Sequence, residues 1–339
     1  MRKNFLAVLQ CGTVALGWEL YASDVETRRC YHRCKSRFCP SCGYRSTLQW
    51  LAEQEAALPD IPYSGVVFTM PKELWSLFKR NRHLLDDLPA LGAAVIEQWL
   101  SMRWAAKALI IVVPHTFGGD LKFNTHLHIL ISTGGFQEST GQWIPRIDLN
   151  KNALMRMWRY AVITHLRSAL KVNILKSERN TQDLRLLFST AYFSEKHPYW
   201  IAHLDQITSK AHFLRYAARY VRRPPIAKWR IRGLVRGEVE FFARDRKNKR
   251  LVRTARPMAE FVRLLASHVP NRYKHAIRYF GLLAPRTKAK NQLALFLLLN
   301  QERRPRPRRL SWRSSILKYF GFDPMIDRFG NEMHWKRWG

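Results

Sequence analysis

The stretch that most constrains this chain is Asn124–Leu130, in which two histidines alternate with apolar residues. Successive side chains of a β-strand point to opposite faces of a sheet. His126 and His128 therefore share one face, whereas Leu127 and Ile129 face a core. Two neutral imidazoles held side by side on a rigid strand can bind a divalent metal ion. The pattern predicts a strand with one metal-binding face and one core face.

A second cluster of metal-binding residue types lies near the beginning of the chain, where all five cysteines precede residue 43. An odd number of cysteines in one short segment favours a local metal site over a disulfide framework. The set that the spacing favours as tetrahedral Zn²⁺ ligands is Cys30, Cys34, Cys39 and Cys42. Cys39 and Cys42 form the most regular pair. Cys11 and His32 are the alternatives to Cys30.

The charge of the chain predicts a polyanionic partner. Lys and Arg number 58 against 25 Asp and Glu, which gives a net charge of +33. Phosphates of nucleic acid are the usual counterpart of such an excess. Basic residues also surround the cysteines, and these are Arg28, Arg29, Arg33, Lys35, Arg37 and Arg45. Because four protein ligands leave zinc no open position, the cysteine segment is expected to bind nucleic acid, with Lys35 and Arg37 among its contacts.

Other partners are not expected. An anionic membrane surface is the competing explanation of the charge, but no apolar run reaches the roughly 18 residues of a membrane span. The apolar part of the first residues is too short for a signal peptide, which predicts a cytoplasmic protein. No Walker-type glycine loop is present, so no nucleotide cofactor is expected.

A helix predicted over Ser209–Val221 carries two tyrosines one turn apart. Tyr216 and Tyr220 share a helix face because they are four residues apart, and Pro224 and Pro225 follow the helix. The neighbouring arginines, expected to contact phosphates, are Arg215, Arg219, Arg222 and Arg223. A tyrosine can attack a phosphodiester when a cation polarises the scissile phosphate. Packing of the two rings in a core is the competing interpretation.

Hydrophobic periodicity outlines the surrounding elements. The apolar run Leu109–Val113, a glycine turn at 118–119 and the histidine stretch predict an antiparallel hairpin. Helices are predicted over 72–87 and 89–107. Residues 175–190 are polar and are expected to form a connection, and residues 311–339 a small helical cap.

Taken together, these motifs resemble the two-tyrosine HUH transposases of rolling-circle insertion sequences, which carry an N-terminal zinc-binding domain. The resemblance extends over roughly residues 5 to 285. The motifs that carry it are Cys11–Thr13, Cys34–Gly43, Val66–Pro71, Asn124–Leu130, Tyr216–Ile226 and Ile277–Leu282.

The resemblance implies an α+β fold in which an antiparallel, palm-like HUH nuclease sheet with flanking helices follows a zinc module. The implied domains are a zinc-binding module at 1–55, the nuclease at 56–285, and a basic linker with a C-terminal cap at 286–339.

The resemblance also implies a mechanism. His126 and His128 would hold Mg²⁺ or Mn²⁺, with a third ligand left open among Asp120, Asp205, Gln206 and His115. Tyr216 or Tyr220 would attack single-stranded DNA at the transposon ends and at the target, leaving a 5′-phosphotyrosine. A non-catalytic zinc-containing nucleic-acid-binding protein and a rolling-circle replication initiator are the alternatives.

Overall fold

A computed structural model describes residues 2–36, 39–193, 200–221, 224–245, 250–269, 274–286 and 288–338. The chain divides into two compact units. The first unit comprises Met1–Gln54, Arg222–Arg272 and Pro305–Gly339, and the second comprises Glu55–Val221 and Tyr273–Arg304. This division differs from the three consecutive segments expected from the sequence, because the first unit is assembled from three separate stretches of chain.

Helices and strands alternate along the described part of the chain. The helices are α1 (Arg2–Leu9), α2 (Pro40–Ala57), α3 (Trp75–Arg80), α4 (Arg82–Trp104), α5 (Lys151–Lys171), α6 (Thr181–Phe193), α7 (Lys210–Val221), α8 (Met258–Ala266), α9 (Lys288–Leu298) and α10 (Trp312–Phe320). The strands are β1 (Trp18–Ala22), β2 (Thr27–Tyr31), β3 (Tyr63–Phe68), β4 (Ala106–Lys107), β5 (Leu109–Phe117), β6 (Phe123–Ser132), β7 (Gly135–Gln137), β8 (Gln142–Ile144), β9 (Ala202–Leu204), β10 (Ile231–Val235), β11 (Glu238–Arg244), β12 (Leu251–Pro257), β13 (Arg278–Gly281) and β14 (His334–Trp338).

The second unit is built on a five-stranded sheet of order β13-β5-β6-β3-β9. All of its pairings are antiparallel. Strand β6 is central, and β5 and β3 are its neighbours. The hairpin of β5 and β6 confirms the pairing predicted from the glycine turn. Strand β5 extends to Phe117, four residues beyond the apolar run that predicted it.

One face of this sheet forms the core of the second unit. Leu127 and Ile129 are fully buried there, as the alternation in β6 predicts. Phe68 of β3 stacks on Trp158 of α5, with ring centroids 5.0 Å apart. Helix α4 approaches the same face closely at Gly92, where a Cβ atom would lie 2.5 Å from a methyl group of Leu127. Helices α4 and α5 thus pack on the apolar face of the sheet, opposite the face that carries the histidines.

The α+β class with an antiparallel sheet and flanking helices is confirmed. The expectation of a connection over residues 175–190 is wrong, because helix α6 begins at Thr181. Its Leu184 and Phe188, four residues apart, are buried in the core. The first helical stretch is broken at Asn81 rather than before Pro89, which lies inside α4.

The first unit contains two three-stranded sheets, of order β14-β1-β2 and β10-β11-β12. Strand β14 pairs antiparallel with β1, and Leu20 lies opposite Arg337. The segment expected to be a helical cap therefore contributes both a helix, α10, and a strand that belongs to the sheet beside the cysteines.

Among the described residues, no helix is both long enough and apolar enough to cross a lipid bilayer.

The stacked Trp158 gives a test of the core. Its indole is fully buried, and Nε1 donates a hydrogen bond to the carbonyl oxygen of Thr69 at 2.9 Å. We expect Trp158→Ala to lower the free energy of unfolding by about 3–5 kcal/mol, because it removes a large buried ring and leaves a cavity. Urea unfolding followed by circular dichroism measures this. Tyr160→Ala, at an exposed position of the same helix, is the control and should change stability by less than about 0.5 kcal/mol.

Candidate metal centres and the tyrosine helix

Three histidines converge on one face of the central sheet. His126 and His128 lie on β6, and His115 of β5 is the direct cross-strand partner of His126. The ring centroids are 5.4 Å apart for His115 and His126, 4.7 Å for His115 and His128, and 5.0 Å for His126 and His128. One nitrogen of each ring lies within 4.8 Å of the other two. His115, His126 and His128 thus form a histidine triad.

The tautomer of His126 suits metal binding. Its Nδ1 lies 2.9 Å from the carbonyl oxygen of Asn124. A carbonyl oxygen only accepts, so Nδ1 carries the proton, and Nε2 keeps its lone pair in the neutral ring. Burial lowers the pKa of His126 below its ordinary value, which keeps the imidazole neutral at pH 7. Three imidazoles on two paired strands can each offer one nitrogen to a divalent ion and leave further coordination positions open.

Among the candidates for a third ligand, His115 belongs to this cluster. Neither Asp120 nor Asp205 is a member of a metal-binding group among the described residues. The position of His115 could have been found from the hairpin register, had the strand been extended beyond Val113.

A histidine that sequence reasoning missed, His203, lies on the same face at the edge of the sheet, paired with the candidate ligand Asp205. His203 of β9 and His128 of β6 both pair with Val67, so the two histidine side chains point to one side. Nε2 of His203 is 3.5 Å from Oδ1 of Asp205. The carboxylate of Asp205 occupies the space beside Gly65, where a Cβ atom would collide with it.

Helix α7 packs against the face that carries the histidines. Phe213 of α7 stacks on Tyr63 of β3, with centroids 4.7 Å apart. Tyr63 and Val67 alternate onto the same side of β3, and Val67 is the partner of His128. The buried ammonium of Lys210 anchors the start of the helix, 3.3 Å from the carbonyl oxygen of Leu58.

The predicted tyrosines lie along this helix. Tyr216 is half-buried and Arg215 is exposed. Tyr220 and Arg219 are on the same helix, and their side chains fall outside the described part of the structure. The predictions for Arg222, Arg223 and Arg37 also lie outside the described residues. Lys35 is exposed, in the loop between the clustered cysteines, with a φ angle of 54°.

Four thiols form a second cluster, in the first unit. Its members are Cys11, Cys34, Cys39 and Cys42. The Sγ atom of Cys42 is 3.6 Å from that of Cys11 and 3.8 Å from that of Cys34. Zinc–sulfur bonds of about 2.3 Å in a tetrahedron separate the sulfurs by about 3.8 Å, whereas a disulfide needs about 2.05 Å. The cluster therefore has the dimensions of a structural zinc site.

The thiol cluster differs from the predicted ligand set at one position, where it contains the alternative residue Cys11. Cys30 lies on β2, opposite Glu19 of β1, and is not a member of the thiol cluster. Cys11 takes the fourth position, because the segment after α1 returns beside the loop, where Gly12 donates a hydrogen bond to the carbonyl oxygen of His32 at 3.0 Å. His32 itself lies 3.3 Å from Glu19.

The electrostatics of the thiols also favour a bound cation. Hydrogen bonding from Cys42 lowers the pKa of the Cys39 thiol to about 4. Burial raises the pKa of Cys34 to about 12. The hydrogen bond with Cys39, and after it burial, raises the pKa of Cys42 further still. The negative charge of the Cys39 thiolate thus opposes the ionisation of both Cys34 and Cys42. A dication at their centre removes that opposition, since metal-bound thiols are deprotonated.

Comparison with known proteins agrees with these features. Residues 110–291 match a family model described as "Putative transposase", and residues 1–70 match a model described as "Transposase zinc-binding domain". The transposase for insertion sequence element IS801 of Pseudomonas savastanoi pv. phaseolicola is 31% identical over 290 residues, which cover 82% of this chain and 69% of the relative. Putative transposase y4qJ of Sinorhizobium fredii (strain NBRC 101917 / NGR234) is 28% identical over 298 residues, 84% of this chain and 75% of the relative. No solved structure matches the chain.

These matches define the class as DNA transposases, enzymes that in this case carry an N-terminal zinc-binding domain. Within that class, the chain belongs to the IS91 family. The first match contains the histidine triad and the tyrosine helix, and the second contains all five cysteines.

Serine variants of two cysteines test the zinc cluster. We expect Cys11→Ser to lower the bound zinc from one ion per chain, because it removes one of four converging thiolates. Cys30→Ser, in the same segment but outside the cluster, should keep full zinc content. Metal analysis of the purified proteins measures both. The reverse result, with zinc lost only on changing Cys30, would contradict the assignment of Cys11.

Proposed function

We propose that this transposase nicks and rejoins single-stranded DNA through a covalent tyrosine intermediate, as in rolling-circle transposition. The observation that carries the proposal is that α7, with its two tyrosines, packs on the sheet face that bears the histidine triad. A nucleophile and a cation site on one face are what phosphodiester cleavage requires.

The histidine triad would hold the divalent ion of the reaction, and its three nitrogen donors suit Mn²⁺ better than Mg²⁺, which prefers oxygen. When bound, such an ion polarises the scissile phosphate and neutralises its charge. The contribution of the chain is a prearranged donor set. His126 is held in one tautomer by Asn124, and His115 is held opposite it by the pairing of β5 with β6.

The phenolic oxygen of Tyr216 or Tyr220 attacks the phosphorus atom. The tyrosine loses its proton, the bond between phosphorus and the 3′ oxygen breaks, and that oxygen leaves as a 3′-OH after taking up a proton. The product is a 5′-phosphotyrosine that conserves the phosphodiester bond energy. A 3′-OH then reverses the step and joins a new strand without ATP. Two tyrosines allow two strand ends to be held at once.

Arginines beside the tyrosines supply the phosphate contacts. Arg215, Arg219, Arg222 and Arg223 are assigned to the strand at the nuclease site, and Lys35 and Arg37 to DNA beside the zinc cluster. Phosphate contacts position the strand without reading its sequence. The proposed substrate is single-stranded DNA at the transposon ends and at the target.

Phenylalanine variants test the nucleophiles. We expect the Tyr216→Phe/Tyr220→Phe double variant to form no covalent protein–DNA adduct, because both attacking oxygens are gone while both rings remain. The measurement is a denaturing gel of protein incubated with end-labelled single-stranded oligonucleotides and Mn²⁺. Tyr160→Phe, at an exposed position of α5, is the matched control and should form the adduct as the unchanged protein does. An undiminished adduct in the double variant would disprove the tyrosine mechanism. Binding without any adduct in the unchanged protein would favour the non-catalytic alternative.

Alanine variants of two histidines test the cation site. His115→Ala should weaken Mn²⁺ binding by at least about tenfold, since even groups that only orient metal ligands are worth about 10–100-fold. His203→Ala, on the same face but outside the triad, should leave Mn²⁺ affinity unchanged. Electron paramagnetic resonance titration of free Mn²⁺ measures both affinities. Equal losses in the two variants would argue against a three-histidine site.

A further inference from the structure

A large cleft lies within the first unit, next to the thiol cluster. Its volume is about 2210 Å³, whereas pockets for small ligands measure roughly 300–1,000 Å³. Residues of β1, β2, α2, α10 and the segment after α10 line it, together with Cys34 and Cys42. The size suits a segment of a polymer better than a single small molecule.

The two sides of this cleft are joined by contacts between distant parts of the sequence. Ser23 donates a hydrogen bond to Oδ2 of Asp327 at 2.6 Å. Nη1 of Arg28 donates to the carbonyl oxygens of Pro324 and Ile326 at 2.8 and 3.1 Å. Pairing of β1 with β14 adds a backbone ladder between the same segments. The cleft is thus preformed by the fold of this unit, and its walls need no ligand to hold them together.

Exposed aromatic rings line the cleft from both sides. Tyr44 of α2 is 54% exposed, Phe320 of α10 is 48% exposed, and their centroids are 5.9 Å apart. Trp338 of β14 is 63% exposed and meets the His32 ring edge-on at 5.7 Å. Trp50 of the same lining is buried, in contrast to these three rings. The exposed rings leave flat apolar surfaces available to a ligand.

The charge of the lining favours an anionic ligand. Arg33, Arg45 and Arg309 line the cleft, and none of them forms an ion pair with a carboxylate in the part of the chain that the structure describes. One lining carboxylate, Asp323, is paired with a cation, because both of its oxygens accept from Nε of Arg313 at 2.9 Å. In all, the lining carries seven Arg and Lys side chains against four carboxylates, so the cleft is electropositive.

We propose that this cleft binds unpaired bases of a DNA strand, which stack on Trp338, Tyr44 and Phe320 while Arg33, Arg45 and Arg309 contact the phosphates. The proposal rests on the proposed function, since it gives the transposase a second contact with its single-stranded substrate. Exposed rings combined with a basic groove are typical of single-strand binding, because every unpaired base offers a flat face for stacking. A base inside a duplex already stacks on its neighbours and cannot reach these rings.

The test is the affinity of the full-length, zinc-loaded protein for a fluorescent single-stranded oligonucleotide, measured by anisotropy without added Mn²⁺ or Mg²⁺. Trp338→Ala should weaken binding about tenfold, the order expected for loss of one base–aromatic stack. Trp229→Ala is the matched control, because Trp229 is 61% exposed in the same unit but does not line the cleft. Trp338 lies exposed on an edge strand, so its truncation should leave zinc content and unfolding unchanged.

Two further measurements separate stacking from charge. The slope of log affinity against log salt should be unchanged in Trp338→Ala and reduced by about one in Arg309→Ala, which loses a phosphate contact. An oligonucleotide with abasic sites should bind the unchanged protein more weakly and should no longer distinguish it from Trp338→Ala. Affinity for duplex DNA of the same sequence should not respond to Trp338→Ala.

Equal losses in Trp338→Ala and Trp229→Ala, or an equal loss for duplex DNA, would overturn the cleft proposal. Its failure is distinguishable from failure of the proposed function. Normal single-strand binding by Trp338→Ala, together with a metal-dependent adduct in the unchanged protein, would disprove strand binding in the cleft and support the tyrosine mechanism. Weakened binding by that variant, with no adduct in the unchanged protein, would support strand binding in the cleft and disprove the tyrosine mechanism.

Discussion

The register between β5 and β6 is the constraint on which the candidate nuclease site depends. His115 reaches His126 because the two residues are opposite in an antiparallel pair. The side-chain period of a strand is two, so a slip by one residue would turn every side chain of β6 to the other face. Such a slip would expose Leu127 and Ile129 and would bury His126 and His128 among apolar side chains. The hydrophobic core on one face of the sheet therefore stabilises the geometry of the metal-binding face on the other.

The two clusters of metal-binding residues differ in what a bound ion could do. Four thiols fill a tetrahedral coordination sphere, so an ion there acts on the fold and not on a substrate. Three imidazoles leave positions open to a phosphate. The backbone elements that carry the two sets of side chains also differ. The thiols lie on loops and a helix start, and the ion would hold them together. The histidines lie on two paired strands whose hydrogen bonds position them without an ion.

Much of this arrangement follows from local patterns in the sequence. Alternation predicted the histidine strand, and the glycine turn predicted its hairpin partner. The elements that escaped prediction depend on distant contacts. The polar residues of 175–190 predict a connection, yet helix α6 forms there because Leu184 and Phe188 pack into the core. The break at Asn81 depends on its side chain, which donates to the carbonyl oxygen of Lys176 and accepts from its amide. Local sequence patterns cannot predict this contact, because Asn81 and Lys176 are 95 residues apart. The same reason explains Cys11: its place beside Cys42 is set by the return of the chain after α1, which the cysteine spacing alone does not encode.

Because β14 pairs with β1, the first sheet can be completed only when the last part of the chain has been translated. Ser23 and Asp327, which are hydrogen-bonded beside this pairing, are 304 residues apart. At about 5–20 residues per second, a ribosome needs roughly 15–60 s to travel between them. For that interval, β1 has its β2 neighbour but lacks the strand that covers its other edge. The central sheet, whose strands β3, β5, β6, β9 and β13 all lie between these points, can assemble first. Translation thus completes the unit that contains the thiol cluster only after most of the central sheet has been made, so the edge of β1 is covered late.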